Sequence, residues 1–240
     1  MTWGMFCAIP CPYKKWNNDY RANTLLCLPL LGVVIGLIWA AAYWVLNKIG
    51  CPSALKAALL AFVPWLLTGF IHLDGYMDCA DAILSRRELK ERQRILKDST
   101  VGSFAVICFV LLAILAFALF LGCEGGKNPL CLAFVPVVSR CCSAFAVESL
   151  RPIGHSSYAA MRAGGTKKGH LAAIGVMFAA AVILPCLLTF PLGLCGAATA
   201  AGSVLTLLYC CKDLDGMSGD ISGCALTVGE LCGAAAFALL

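Results

Sequence analysis

The chain alternates long apolar blocks with short polar segments. Each block is about as long as a helix that crosses the hydrocarbon core of a bilayer, which takes about 20 residues. The pattern therefore predicts an all-α fold, a polytopic integral membrane helical bundle with about seven transmembrane helices. The last block is short, which is typical of a tilted or partial span. The predicted spans cover residues 24–46, 55–72, 101–121, 129–149, 170–190, 192–211 and 224–240.

Composition supports this interpretation. The 240 residues are 61% hydrophobic and 13% charged, with a mean hydropathy of +0.87, whereas a soluble domain has about 25% charged residues. We expect one integral membrane domain over residues 1–240. The first residues lack the basic start and apolar core of a signal peptide. Residues 1–23 instead resemble an interfacial segment, with aromatic anchors at Trp3, Phe6, Tyr13 and Trp16.

The basic residues predict the orientation of the bundle. Of the 18 Lys and Arg residues, three (Lys48, Lys56 and Lys127) fall on one side and Arg140 lies inside a span. The others fall on the opposite side, which the positive-inside rule places in the cytoplasm. We therefore expect a multi-pass protein of the cell (inner) membrane with a cytoplasmic N-terminus and, with seven spans, an external C-terminus. The same side receives Asp74, Asp78, Asp81, Asp98, Asp213, Asp215 and Asp220.

Three aspartates follow the second span. On a helix, Asp74, Asp78 and Asp81 point within ~60° of one another. Like charges this close are unfavourable at a membrane edge unless a cation binds between them. Carboxylate oxygens suit Mg²⁺ or Mn²⁺, so the cluster predicts a metal site for phosphate chemistry. Gly75, without a Cβ, would let a backbone or a phosphate approach closely. A solvated helix end with salt bridges to nearby arginines is the alternative.

Two further segments carry polar groups on the same side. Lys97, Asp98 and Ser99 close the basic loop within residues 73–100. Asp98 or Ser99 could cap the next helix, and Lys97 could face a phosphate together with the helix N-terminus. Gly219 and Asp220 lie in a Gly/Asp loop over residues 212–223, which predicts a re-entrant or tightly turned segment at the active face. Both residues, like Ser99, are candidate substrate or phosphate contacts.

Four further polar residues are candidates for roles near the aspartates on the basis of their positions alone. Arg151 is a candidate phosphate contact. Glu230 lies inside the last span and needs a partner, for which Arg140 in the fourth span is a candidate. His72 adjoins the aspartates but lies about 160° from Asp74 on a helical wheel, so it is expected to act only through its neighbours.

The 16 cysteines predict neither a disulfide framework nor a zinc site. They are scattered through the spans, and no pair of CxxC motifs occurs. We therefore expect them to fill small apolar positions in the helices.

Three motifs resemble the cobalamin synthase family, the adenosylcobinamide-GDP ribazoletransferases of cobalamin assembly. They are HLDGYMDCADAI, ILKDSTVGSFAV and GDISGCALTVGE, which cover residues 72–83, 95–106 and 219–230. Their order, the charged loop between the first two and the seven-span pattern are also similar to the family. The resemblance covers nearly the whole chain.

The resemblance implies a reaction. α-Ribazole or its 5′-phosphate attacks adenosylcobinamide-GDP, giving adenosylcobalamin or its phosphate and releasing GMP, in the presence of Mg²⁺. Asp74, Asp78 and Asp81 would then bind the metal, and one of them or Asp98 would accept the proton. The expected partners are these two substrates and the lipid bilayer, with no nucleic acid. Association with other enzymes of cobalamin assembly is a further expectation.

Three alternatives remain at this point. A CDP-alcohol phosphotransferase would have Ala-Arg after its Asp-Gly pair, whereas Tyr76 and Met77 follow here. A polytopic prenyltransferase would carry two aspartate motifs in separate halves. A cation transporter would place its acids nearer the bilayer midplane, in paired repeats.

Overall fold

The protein folds as a bundle of α-helices. The structure, a computed structural model, describes residues 1–11, 13, 23–123, 125–153, 168–188 and 190–240. Within these ranges it contains no β-strand, and the only pairing is an isolated bridge between Pro152 and Met217. The all-α prediction is therefore confirmed. The helices are α1 Thr2–Phe6, α2 Asn23–Leu26, α3 Leu28–Lys48, α4 Ser53–Leu67, α5 Ile71–Leu84, α6 Leu89–Ile95, α7 Ser103–Leu121, α8 Leu130–Ser149, α9 Lys168–Leu188, α10 Phe190–Asp213 and α11 Gly219–Leu239.

The number of membrane-crossing helices agrees with the prediction. Among the described residues, six helices are long and apolar enough to cross a bilayer. They are α2 and α3, counted as one continuous span, and the five helices α7 to α11. The bent pair α4 and α5 makes seven if it forms one span. The last helix, α11, has 21 residues, and at 1.5 Å per residue it is about 31 Å long. It is thus long enough to cross fully, because it begins five residues earlier than the pattern predicted.

The second predicted span is broken rather than straight. Helix α4 ends at Leu67, and α5 leaves it at an angle of 92°. Gly69 and Phe70 make the corner with left-handed φ values of 61° and 63°. The prediction carried the span to His72, which instead lies in the first turn of α5. Since the apolar run continues through the corner, hydropathy alone could not show the break.

Other predicted boundaries also need correction. The region 73–100 is not simply a loop, because α5 extends to Leu84 and α6 is a further short helix. Residue 191, which separates the fifth and sixth predicted spans, is helical and belongs to the start of α10. The Gly/Asp loop is short: Gly219 and Asp220 form the first turn of α11. No re-entrant segment occurs there, and the tight turn lies at Asp215 and Gly216, with φ values of 55° and 148°.

Helix α8 lies at the centre of the bundle. Most of its side chains are buried, and it packs against α3, α9, α10 and α11. Helix α5 packs mainly against α11 and α7. The aspartates are therefore part of the bundle and not of an exposed loop.

The polar connections meet at one end of the bundle, which we call the carboxylate end. Arg92 forms an ion pair with Asp213, and Gln93 Nε2 donates to the Leu214 carbonyl over 2.8 Å. The Ile153 N–H donates to the Met217 carbonyl over 2.9 Å. These bonds join the segments that follow α5, α8 and α10. This agrees with the prediction that the three segments lie on the same side of the bundle. At the other end, Lys127 Nζ donates to the Ala238 carbonyl.

The N-terminal segment differs from the prediction in one respect. Phe6 is buried against α3, α8 and α9 residues and stacks on His72, with ring centroids 5.9 Å apart. It is thus a core residue and not an interfacial anchor. The Ala8 N–H donates to the Leu67 carbonyl over 2.8 Å, so this segment packs on the α4–α5 corner. Tyr13 is exposed, and Trp16 lies outside the described residues.

Candidate active site

Four carboxylates gather where α5 meets α11. Asp74, Asp78 and Asp81 lie on the accessible face of α5, while His72, Leu73, Cys79 and Ala82 are buried on the other. The predicted common face of the three aspartates is therefore present. Asp220, in the first turn of α11, is the fourth member. Asp78 is half-buried, and the negative charges of Asp74, Asp220 and Asp81 all act on it.

Two glycines allow this close helix crossing. A Cβ on Gly75 would lie 2.7 Å from the Asp220 carbonyl oxygen, and one on Gly223 would lie 2.9 Å from the His72 carbonyl oxygen. Both distances are shorter than van der Waals contact, so a side chain at either position would push α5 and α11 apart. Thr227 Oγ1 adds a hydrogen bond to the His72 carbonyl over 3.1 Å. Gly75 was predicted to let either a backbone or a phosphate approach closely, and it is the backbone of α11 that does so.

Asp81, a residue of α5, caps the N-terminus of the neighbouring helix α7. Its carboxylate accepts hydrogen bonds from the Gly102 N–H over 2.6 Å and from the Ala105 N–H over 2.9 Å. The first N–H groups of a helix lack partners within the helix, and a carboxylate there is favourable. The prediction that Asp98 or Ser99 caps α7 is therefore wrong: Gly102 is the N-cap residue, and Asp81 supplies the acceptor.

The spacing of the carboxylates limits how a metal could bind. In the described part of the chain, no three carboxylate side chains bring one oxygen each within 4.8 Å of one another. One ion therefore could not contact three of these side chains directly without movement. Mg²⁺, however, is usually bound through one or two carboxylates together with waters and substrate phosphates. The four carboxylates fit that mode of binding, and a carboxylate such as Asp81 keeps further lone pairs beside its two hydrogen bonds.

The side chain of Asp98 is hydrogen-bonded to neighbouring residues of its own segment. Its Oδ1 accepts hydrogen bonds from the Thr100 N–H and hydroxyl, over 3.0 and 2.7 Å, and its Oδ2 lies 3.4 Å from Arg94 Nη1. The bonds from Thr100, with a smaller contribution from Arg94, lower the pKa of Asp98. A carboxylate with a lowered pKa is a weaker base. Lys97 and Ser99, on either side of it, are exposed.

Arg151 lies at the same end but is engaged with an acid. Its Nη2 donates to Asp215 Oδ2 over 2.7 Å and to the Asp215 carbonyl over 3.2 Å. Both side chains are mostly exposed. The interaction is thus screened by solvent, and an anionic ligand could compete for the guanidinium.

Glu230 and Arg140 form the predicted ion pair inside the bundle. Arg140 Nη1 lies 2.5 Å from Glu230 Oε1, and the Ser139 hydroxyl donates to the same oxygen over 3.0 Å. Arg140 is completely buried and Glu230 is nearly so. The pair joins α8 to α11, and the buried His72 of α5 stacks on Phe6. These three residues support the elements of the site from within.

Gly102 and Gly223 were not recognised from the sequence. Both lie inside motifs that resemble the family, but the sequence around a glycine does not show which atoms approach it in the folded protein. Asp220 was assigned to a phosphate rather than to the aspartate cluster. It is distant from that cluster in sequence, and only the helix crossing makes the four carboxylates neighbours.

Comparisons with known proteins identify the family of the chain. The family described as Cobalamin-5-phosphate synthase matches residues 1–238. A protein of Clostridium botulinum (strain Alaska E43 / Type E3), named adenosylcobinamide-GDP ribazoletransferase, is 37% identical over 239 residues, covering 97% of this chain and 93% of that protein. A protein of the same name from Clostridium perfringens (strain SM101 / Type A) is 38% identical over 237 residues, covering 97% and 94%.

A more distant relative shows the same relation. The adenosylcobinamide-GDP ribazoletransferase of Geobacillus kaustophilus (strain HTA426) is 31% identical over 226 residues, covering 90% of this chain and 84% of that protein. No solved structure matches the chain. Because the family match covers nearly every residue and all three motifs, this chain belongs to the cobalamin-5-phosphate synthase family and is an enzyme of the transferase class, built from membrane-crossing helices.

Proposed function

We propose that this enzyme joins adenosylcobinamide-GDP to α-ribazole or α-ribazole 5′-phosphate, giving adenosylcobalamin or its 5′-phosphate and releasing GMP. The observation that carries the proposal is the full-length match to the family together with the four carboxylates at the α5–α11 crossing. The names of the relatives supply the substrates. The carboxylates supply a site suited to a substrate that contains a pyrophosphate.

Mg²⁺ is the proposed cofactor, which would neutralise charge on the phosphates during transfer. Asp74 and Asp220 are the proposed ligands, with Asp81 as a further one through its remaining lone pairs. Asp78 is a fourth ligand unless it stays unbound and serves as the base. Asp81 has a second role, because its hydrogen bonds to α7 hold the carboxylate in place. The repulsion among these acids is a reason for a cation to bind between them.

The attacking ribazole hydroxyl must lose its proton. A carboxylate within hydrogen-bond reach of that hydroxyl would serve as the base. Asp78 suits this role better than Asp98, because the other three acids surround Asp78 and hold negative charge near it. Hydrogen bonds from Thr100 instead make Asp98 less basic.

Lys97 and Arg151 are the proposed phosphate contacts, with Ser99 and Gly219 nearby in the same two segments. Lys97 is exposed, and Arg151 would have to exchange its bond with Asp215 for one to the substrate. A guanidinium can bind a phosphate with two parallel hydrogen bonds. Arg151 is therefore proposed to move when substrate binds.

The alternative functions have lost their support. Family membership separates the chain from CDP-alcohol phosphotransferases and from prenyltransferases. The carboxylates lie at one end of the bundle and not along a path between its ends, which is unlike the arrangement expected of a cation transporter.

An assay of the purified protein in liposomes tests the proposal. With Mg²⁺, adenosylcobinamide-GDP and α-ribazole, we expect GMP and a corrinoid that carries a lower ligand. Asp78→Asn should reduce the rate by about 100-fold or more, because it removes a group that stabilises charge or accepts the proton. Glu88→Gln, an exposed acid at the start of α6, is the matched control and should keep full activity.

Two results would contradict the proposal. Absence of GMP with the wild-type protein, combined with cation flux across sealed vesicles, would establish a transporter. Full activity of Asp78→Asn would show that the carboxylate of Asp78 is not needed for the reaction.

We also infer that the carboxylate end faces the cytoplasm and that the enzyme lies in the inner membrane, where soluble nucleotide substrates can reach it. The basis is the distribution of Lys and Arg. A cysteine-free variant carrying one new cysteine at Lys97 should be protected from an impermeant thiol reagent in intact cells and labelled in inverted vesicles. Labelling in intact cells would reverse the orientation. Association with other enzymes of cobalamin assembly remains a prediction, which co-purification from the native membrane would test.

A further inference from the structure

Three cysteines from three different helices meet beneath the carboxylates. Cys79 of α5, Cys210 of α10 and Cys224 of α11 have sulfur atoms that all lie within 4.8 Å of one another. In the described part of the chain, no other three His, Cys, Asp or Glu side chains bring their ligand atoms so close. All three are free thiols and are buried, with exposed fractions of 0%, 2% and 6%.

We propose that Cys79, Cys210 and Cys224 form a three-thiolate site for a soft, thiophilic metal cation. Thiolates prefer soft or borderline cations such as Cu(I), Zn²⁺ and Cd²⁺, whereas carboxylates prefer Mg²⁺. The protein therefore has two neighbouring sites with opposite metal preferences.

The distances suit trigonal coordination. With a metal–sulfur distance of about 2.3 Å, three sulfurs at 120° to one another are about 4 Å apart. The observed upper limit of 4.8 Å requires shifts of less than about 1 Å, and a larger cation with longer bonds requires less. Three separate helices supply the ligands, so the helix packing fixes the arrangement, which the spacing along the chain does not show.

A cleft gives access to the sulfurs. A cavity of about 400 Å³ is lined by all three cysteines, together with Tyr76 and Tyr209. Tyr209 is 59% exposed and lies four residues before the end of α10, so the cavity opens at the side of the bundle close to the carboxylate end. Cys108 also lines this cavity but lies outside the group of three, which makes it a matched control.

The cysteine site and the carboxylates share helices α5 and α11. Cys79 directly follows Asp78, and Cys224 lies four residues after Asp220. A cation bound to both cysteines would tie α5 to α11 one turn from the proposed active site. We therefore expect binding to raise the unfolding temperature and to change the transferase rate.

Binding is a simple exchange of protons for metal. Each thiol loses one proton as its sulfur bonds to the cation, so one Cd²⁺ displaces three protons and no electron is transferred. Disulfide formation would instead need an oxidant. The two outcomes are distinguishable by the number of free thiols that remain after the metal is chelated.

Cd²⁺ is the probe for the test. We expect one equivalent, added to the purified protein in detergent with excess Mg²⁺, to bind with three sulfur neighbours in X-ray absorption spectra and to release three protons. Cys210→Ala and Cys224→Ala should lose this signal and the rise in unfolding temperature. Cys108→Ala and Cys195→Ala, each lacking one thiol outside the group, should keep both.

The proposal is overturned if wild-type protein binds Cd²⁺ with fewer than three sulfurs, or if Cys210→Ala binds it as wild type does. Should Cys210→Ala not fold, Cys210→Ser provides the second variant, since it is close in size and a poor ligand for Cd²⁺. The test measures coordination and does not depend on the proposed transferase reaction.

Discussion

Asp220 is separated from the other three carboxylates in sequence but acts on the same half-buried Asp78. We predict that Asp220→Asn reduces the rate of GMP release by about 100-fold, as Asp78→Asn does, because both remove charge from one group of ligands. The rate at saturating substrates and the Mg²⁺ concentration for half-maximal rate are the measurements. Wild-type activity in Asp220→Asn, with Glu88→Gln as the reference, would place Asp220 outside the site.

Gly102 is the residue on which the position of Asp81 depends. A Cβ there would lie 2.5 Å from Asp81 Oδ1, so we predict that Gly102→Ala displaces the carboxylate from the N-terminus of α7. Loss of such a cap costs about 0.5–2 kcal/mol. The unfolding temperature and the transferase rate should both fall.

Gly122→Ala is the control at the other end of α7. Its new Cβ would lie 3.5 Å from the nearest atom, an ordinary contact. If Gly102→Ala and Gly122→Ala behaved alike, the capping role of Asp81 would be refuted.

The crossing of α5 and α11 is the element on which the grouping of the acids depends. We predict that Gly75→Ala and Gly223→Ala each separate the two helices, since both new methyl groups would overlap backbone atoms. Overpacking of this kind costs about 1–3 kcal/mol. Activity should fall more steeply than stability, because the carboxylates move apart.

Gly175→Ala in α9 is the matched control for the crossing. A Cβ at Gly175 meets no atom within 4 Å, and alanine favours the helix. Stability and activity should therefore stay at wild-type values. Thermal unfolding in detergent and GMP release measure the two effects, and an active Gly75→Ala variant would show that the close crossing is not required.

At the scale of the whole molecule, the Arg140–Glu230 pair joins the central helix to the helix that carries Asp220. We predict that Arg140→Leu or Glu230→Leu alone costs about 3–5 kcal/mol, since each leaves a buried charge without its partner. The double variant should regain most of the loss. Arg140 Nε and Nη2 have no hydrogen-bond partner within the described ranges, so the native pair itself is incompletely satisfied.

Denaturant unfolding of the two single variants and the double variant gives the coupling energy directly. Additive losses would mean that the pair contributes nothing as a pair.

Much of the fold followed from local pattern. Apolar blocks of spanning length predicted α3 and α7 to α11, because a bilayer imposes the same length on every crossing helix. The break at Gly69 and Phe70 did not follow, because the residues on both sides are apolar. The start of α11 was placed too late, since its first five residues include a serine, an aspartate and two glycines, residues that are common in loops as well.

The sequence by itself determined the all-α membrane fold, the common face of Asp74, Asp78 and Asp81, and the family, because helical period, span length and motif are all local properties of a chain. Only the tertiary structure decided that Asp220 joins the aspartates, that Asp81 caps α7, and that Cys79, Cys210 and Cys224 converge. Each of these depends on how closely two or three helices approach, and that distance is set by residues far apart in sequence, such as Gly75 and Gly223, whose missing side chains allow the contact.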